Sequence, residues 1–276
     1  MAVSISSVPA LLARIASARD VAFGAYFLPH NAVRDALASA ARRGAHVAVT
    51  LQADPYRNPH GARFNRDAAR ALRAAGAQVT LLRSDTVPFH LKAAVCDGAA
   101  YLDDRNWTKR GPETVVRDDD PKDVALVRAA LAGRGGAGTR LATRKDEALR
   151  REVALVDRAG DKAVTLETER VATSPLTRAL LRHAARGART TLIVAHDARR
   201  SHAESHALAV LRAGGVDVRE GGTNEKLALA GDTAWIGSGN ATGASGRNAG
   251  QLEWGMLTRA RALVAAVRGA LARDLR

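Results

Sequence analysis

Two stretches of the chain place an imidazole, ammonium groups and amides in matching positions. His90 and Lys92 stand two residues apart in His90-Leu-Lys92-Ala-Ala-Val-Cys-Asp97, and Asn224 and Lys226 do the same in Asn224-Glu-Lys226-Leu-Ala-Leu-Ala-Gly231. Further on, Asp103-Asp104-Arg105-Asn106 faces Gly237-Ser238-Gly239-Asn240. One and the same number of residues separates His90 from Asn224, Lys92 from Lys226 and Asn106 from Asn240. A neutral imidazole near pH 7 is a competent nucleophile. Cations and amide donors aimed at phosphoryl oxygens oppose the negative charge that grows towards a pentavalent transition state. These residue types therefore suit attack on a phosphate ester.

The elements that must carry them repeat in the same order. In the first half, Asp20 to Phe27 reads as a strand, Asn31 to Arg43 as a helix closed by Gly44, and His46 to Leu51 as a strand. A polar loop through Tyr56 and His60 follows, then a helix from Asn65 to Ala75 and a strand from Gln78 to Leu82. In the second half, a strand at 162–167 precedes a helix opened by Ser174-Pro175 and closed by Gly187. A strand from Thr190 to Val194, a helix ending at Gly214-Gly215 and a strand at 216–218 complete the parallel. Each repeat is expected to begin with a helix, Pro9 to Ala18 and Arg144 to Arg158. The expected fold class is α/β with largely parallel pairing, built as two similar βα-repeat halves. Residues 1–132 form repeat one, the glycine-dense 133–138 a linker, and 139–276 repeat two.

His-x-Lys-x4-Asp followed by Gly-Ser-x-Asn resembles the duplicated motif of the phospholipase D superfamily of phosphodiesterases and phosphatidyltransferases. The resemblance covers most of the chain. It implies a pseudo-dimer whose two motifs meet at one site, with no cofactor and no metal. It also implies that His90 forms a phosphohistidine and that Lys92, Lys226, Asn106, Asn240 and Ser238 hold the phosphate oxygens. Asp97 completes the first motif. Glu253, in Gln-Leu-Glu253-Trp-Gly, resembles the family carboxylate that orients a motif histidine, and Asp118 or Asp119 occupies the corresponding stretch of repeat one. The pattern departs in three places. Asn224 stands where the second histidine belongs, Gly231 where the second aspartate does, and Asp103-Asp104 where glycine and serine are usual.

Lys+Arg total 42 against 28 Asp+Glu, a net charge of +14, which draws anionic partners. The expected partner is an anionic phosphodiester: a phospholipid headgroup, a nucleic acid or a small diester. Peripheral contact with an acidic membrane surface also fits the charge. No apolar run is long enough to span a membrane, and the amino-terminal residues do not read as a secretory signal. The single cysteine, Cys96, excludes an internal disulfide framework and a cysteine zinc site, which suits a cytoplasmic setting. The expected function is a phosphodiester hydrolase or phosphatidyltransferase working through His90. The competing expectation is a catalytically degenerate module that binds phosphodiesters, lipid headgroups or nucleic acid. His30, His196 and His202 follow strands and are the candidates to replace the missing acid. His183, within a helix, reads as a surface residue, and Trp107, Trp235 and Trp254 read as core.

Overall fold

The computed structural model describes residues 3–56, 58–107, 114–197 and 200–276. The first set of elements is β1 (Val3–Ser6), α1 (Val8–Ser17), β2 (Asp20–Ala25), α2 (Ala32–Arg42), β3 (His46–Gln52), α3 (Pro59–Ala74), β4 (Gln78–Leu82), β5 (Ala93–Cys96), β6 (Ala99–Asp103), β7 (Val115–Asp118) and α4 (Pro121–Leu131). The second set keeps that order: β8 (Leu141–Ala142), α5 (Lys145–Asp157), β9 (Val164–Thr168), α6 (Pro175–Ala185), β10 (Thr190–Ala195), α7 (His202–Ala213), β11 (Asp217–Gly222), β12 (Leu227–Ala230), β13 (Thr233–Gly237), β14 (Gly255–Thr258) and α8 (Arg261–Asp274).

Each set builds one sheet of seven strands, ordered β1-β7-β6-β5-β2-β3-β4 and β11-β10-β9-β12-β13-β14-β8. The sheets are mixed, not largely parallel. Among the described strands, only β2, β3 and β4, and β9, β10 and β11, pair in parallel. The reason lies in the connections. Helices join the parallel strands, whereas Asp97-Gly98 joins β5 to β6 and Gly231-Asp232 joins β12 to β13 as tight antiparallel turns. Asp97 has φ +54° and Gly231 φ +60°, the left-handed conformation such a turn needs. Each repeat also opens with a short edge strand, β1 or β8, ahead of its helix.

Three apolar cores organise the layers. Leu11 and Ile15 of α1, Leu37 of α2 and Leu72 of α3 pack on Phe23, Val49 and Leu51 of the first sheet. Leu155, Leu176, Leu180 and Leu211 cover the outer face of the second sheet in the same way. The middle core draws on both sets: Leu91, Val95, Leu102 and Val127 meet Leu227, Ile236, Trp254 and Val267. The inner faces of the two sheets, with α4 and α8 between them, therefore share one interior.

Helix boundaries follow their caps. Asn31 caps α2 by accepting from the Arg34 amide, and Ser174 with Thr177 forms a capping box on α6. The α3 helix starts at Pro59, earlier than its apolar spacing suggests, because Asn58 caps the Gly61 amide and Pro59 occupies the first turn. Asn65 thus lies inside the helix and is fully buried. Its Oδ1 accepts from the Leu28 amide at 2.8 Å, while Nδ2 donates to the carbonyls of Tyr26 at 2.9 Å and Gln52 at 2.6 Å. That ties the ends of β2 and β3 together beside the cleft described next.

Candidate active site

The segments that lead into β5 and β14 clip to each other across the two halves. Phe89 bridges Leu252 in parallel, the His90 amide donates to the Leu252 carbonyl at 2.9 Å, and the Leu252 amide donates to Pro88 at 2.8 Å. Trp254 Nε1 donates to the Asp103 carbonyl at 2.8 Å from the same strip. This register places His90 Nδ1 2.9 Å from Glu253 Oε1. The Tyr26 ring closes the other side, edge-on to the imidazole with centroids 4.6 Å apart.

Lys92 is buried, with Nζ 2.9 Å from both ring nitrogens of His90. Burial, then the Lys92 charge, pulls His90 down to about 4 against the pull of Glu253, so the ring is neutral near pH 7. A neutral ring facing a carboxylate carries its proton on Nδ1 and leaves the Nε2 lone pair available. Burial pushes the Glu253 carboxyl up, but Lys145, His90 and Lys92 outweigh it and hold it below its ordinary range. Lys92 falls to about 7, chiefly by burial, with Glu253 opposing and Lys226 adding to the fall. The two motif lysines therefore feel each other. Lys226 Nζ donates to Glu169 Oε2 at 3.2 Å and to the Asn224 carbonyl at 2.7 Å.

The other residues singled out from the sequence divide. Asn240 lines the cleft, with Oδ1 accepting from the Arg170 amide at 3.2 Å. Ser238 is fully buried and its Oγ accepts from the Trp254 amide at 3.1 Å, so it holds the strip that carries Glu253. Asn224 has φ +71°, and its Oδ1 is buried with no hydrogen-bond partner among the described residues, as is Asn106 Oδ1. Asp97 lies at the other end of β5 from His90. It accepts from Arg14 at 2.7 Å and from the amides of Arg19 at 3.0 Å and Asp20 at 3.1 Å. It is a turn residue that the fold does not bring to the cleft.

Asp118 and Asp119 do not mirror Glu253. Asp118 pairs with Arg140 at 2.7 Å and Asp119 with Arg117 at 3.0 Å. Aligning β7 with β14 gives Glu113 as the corresponding position, which lies outside the described residues. Asp103 and Asp104 are fully buried; Asp103 is pushed up to about 6 and Asp104 well above its ordinary range, both chiefly by burial. His30 is exposed against Asp35, and His196 and His202 are exposed. None of the three lines the cleft. His183, read as a surface residue, is fully buried with Nδ1 2.7 Å from Thr190 Oγ1, because its helix face packs on β10.

A cleft of about 750 Å³ opens in front of His90, lined also by Tyr26, Gln52, Tyr56, Lys145, Asn240 and Glu253. Spacing alone did not single out Lys145, Tyr26 or Glu169. A compositional signal does exist for the first of these. The chain has only six lysines, and Lys92, Lys145 and Lys226 are all buried around this site. Among the described residues, one group of carboxylates comes close enough to hold a metal: Glu167, Glu225 and Asp274. Arg273 pairs with Glu225 at 3.0 Å, and Glu167 is pushed up to about 8 by burial and by Asp274. The Arg273 guanidinium thus already offsets part of that group's charge.

The position of Lys92 has a measurable consequence. An anion in the cleft restores the charge of Lys92, so sulfate, whose own charge is constant, is expected to bind with proton uptake at pH 8. Its affinity should fall as pH rises from 6 to 8.5. Calorimetry in buffers of different ionisation enthalpy reads both effects, and binding without proton uptake would remove Lys92 from the anion site.

Comparison with known proteins agrees on the architecture. Residues 11–131 match the family model described as cardiolipin synthase, PLD-like domain. The chain is similar in structure to polyphosphate kinase from Porphyromonas gingivalis, with TM-score 0.68, 16% identity and 98% of this chain covered. It spans 48% of that kinase's length. It is also similar to a mutant of yeast tyrosyl-DNA phosphodiesterase 1, with TM-score 0.52, 10% identity, and coverage of 89% of this chain and 84% of that one. No curated protein matches the chain.

Proposed function

We propose, on the premise that this chain is a phospholipase D-like protein carrying that superfamily's domain over residues 11–131, that it transfers phosphoryl groups from phosphodiesters through a phosphohistidine at His90. The observation that carries the reading is the 2.9 Å contact between His90 Nδ1 and Glu253 Oε1, made between the two halves. In this reading Nε2 of the neutral ring attacks phosphorus while Glu253 keeps the Nδ1 proton and stabilises the imidazolium that forms. Lys92 leaves the ring for the non-bridging oxygens, where Lys226 and Asn240 join it. The bond to the leaving oxygen breaks with no imidazolium behind it, because Asn224 cannot supply a proton.

Leaving groups that are stable anions scarcely need a general acid, whereas alkoxides do. An activated aryl diester such as bis(p-nitrophenyl) phosphate is therefore expected to release about one equivalent of nitrophenolate per chain in a burst. Water attack on the phosphohistidine then stalls for want of a base. His90→Ala should abolish the burst, and the burst product should be an acid-labile phosphoprotein. Steady turnover of alkyl diesters by the natural chain would mean that another group supplies the proton and would overturn the mechanism.

One observation favours a second reading, a module that binds phosphodiesters and does not cleave them. Glu169 sits 3.2 Å from Lys226 and already occupies half of the cation pair. Phosphate binding with no burst from the aryl diester decides for this reading.

A further inference from the structure

Lys145 belongs to neither repeated motif, yet it lies in the cleft beside His90 and Glu253. It is the first residue of α5, where its amide donates to the Gln251 carbonyl at 2.9 Å, so its backbone is fixed to the strip that carries Glu253. Its side chain is about nine-tenths buried, at 10% exposure. An ammonium has three donors. Nζ reaches Thr242 Oγ1 at 3.3 Å and stands 4.0 Å from Glu253 Oε1, an oxygen already taken up by His90. The remaining N–H groups have no hydrogen-bond acceptor among the described residues. A buried ammonium in that condition is costly unless something else meets it.

The other two lysines of the site are accounted for. Lys92 lies on the imidazole and Lys226 on Glu169 and the Asn224 carbonyl. Beside Lys145 the cleft wall presents the side-chain amides of Asn248 and Gln251, which make no hydrogen bond to the described residues. A phosphodiester brings one negative charge, and the two motif lysines suffice to hold it. A third buried cation with amides around it, a step away from the reacting phosphorus, is a receptor for a second anionic group on the same molecule.

We infer that Lys145 binds a second phosphate group of the substrate, so that the site prefers molecules carrying two neighbouring phosphates over simple diesters. The inference rests on the reading that the cleft takes a phosphate ester. It covers two chemical arrangements, a phosphoanhydride and a diester with a separate phosphate close by. In either, the second phosphate accepts from Lys145 Nζ and the adjacent amides without taking part in bond breaking.

Calorimetry with inorganic phosphate and pyrophosphate at pH 7 tests the inference. The natural chain is expected to bind pyrophosphate at least about tenfold more tightly, the discrimination one charged hydrogen-bonding group supplies. Lys145→Gln should bring the two anions within about threefold, while Lys145→Arg keeps most of the preference. Arg66→Gln, an exposed change on α3, should leave the preference intact and so separates Lys145 from the diffuse positive charge of the chain. Equal affinities in the natural chain, or a preference that survives Lys145→Gln, overturn the inference while leaving the His90 burst untouched. If neither anion binds, the phosphate-ester reading of the cleft falls, and this inference falls with it. Burst kinetics then separate the two arrangements. Thymidine 5′-(p-nitrophenyl phosphate) carries one charge, and its 3′-phosphate derivative carries a second phosphate. A lower half-saturation for the derivative places the separate phosphate at Lys145, and equal values with a retained pyrophosphate preference assign the anhydride.

Discussion

Asn224→His is expected to convert a single burst into continuous turnover and to extend cleavage to alkyl diesters. The backbone already suits the change. Asn224 has φ +71°, a left-handed conformation that histidine tolerates better than most side chains. The present side chain contributes little to the fold, since its Oδ1 is buried and makes no hydrogen bond to the described residues. An imidazolium at this position supplies the proton that an alkoxide needs, then, once neutral, takes a proton from water attacking the phosphohistidine. Positioned acid–base groups contribute about 10²–10⁴-fold, so steady release after the burst should rise by that order. Product release followed over many equivalents, with the aryl and an alkyl diester side by side, reads the result. A variant that binds phosphate but still stops after one equivalent would show that the obstacle lies elsewhere, with Glu169 on Lys226 as the first suspect.

Glu253→Gln is expected to slow the burst by about 10²–10⁴-fold without changing its amplitude. In the proposed mechanism the carboxylate, 2.9 Å from Nδ1, fixes the proton there and meets the positive charge that His90 gains on attack. An amide of the same shape can do neither consistently, and loss of a comparable carboxylate elsewhere costs about 10⁴-fold. The pH profile follows from the same groups. His90 is held at about 4, so its nucleophilic form is complete from pH 5 upward. Lys92 is held at about 7 in the empty site, so at diester concentrations below saturation the burst rate should fall above that value as the ammonium loses its proton. Stopped-flow nitrophenolate release between pH 5 and 9 measures both. An unchanged burst rate in Glu253→Gln would reduce the contact to packing.

Much of the fold was legible because its boundaries are local. Gly44, Gly76 and Gly187 all adopt positive φ just past helix ends, and Ser174-Pro175 begins its helix where a cap and a first-turn proline belong. Pairing direction was not legible. The alternation of strands and helices points to parallel sheets, while the turns at Asp97-Gly98 and Gly231-Asp232 lie within the repeated motif, whose spacing masks them as hairpin turns. The Asn58-Pro59 start of α3 was hidden in a loop with no apolar period, which concealed Asn65 as the residue tying β2 to β3. Around the cleft, repeat spacing could point only to positions that occur twice. Lys145 opens α5, whereas its counterpart helix α1 opens with Val8, so no repeat could reveal it. The burial of His183 and the pairing of Asp118 with Arg140 and of Asp119 with Arg117 depend on which face packs inward, and single-residue spacing does not encode that.

The two sheets share one middle core, and the cleft draws His90 from one half and Glu253 from the other. In an assembly of two identical subunits, any substitution falls on both sides of the symmetry axis at once, so losing one histidine means losing both. Joining the copies in a single polypeptide frees them from that rule. Each position on one side of the axis can then drift while its twin stays fixed, which is how Asn224 can be the repeat counterpart of a retained His90 and how Lys145 can stand where the other repeat has Val8. The interior cannot diverge as freely, because each half completes the apolar packing of the other. Diversification is therefore channelled to the rim of the axis, and the asymmetry of this cleft is the sequence-level trace of that freedom.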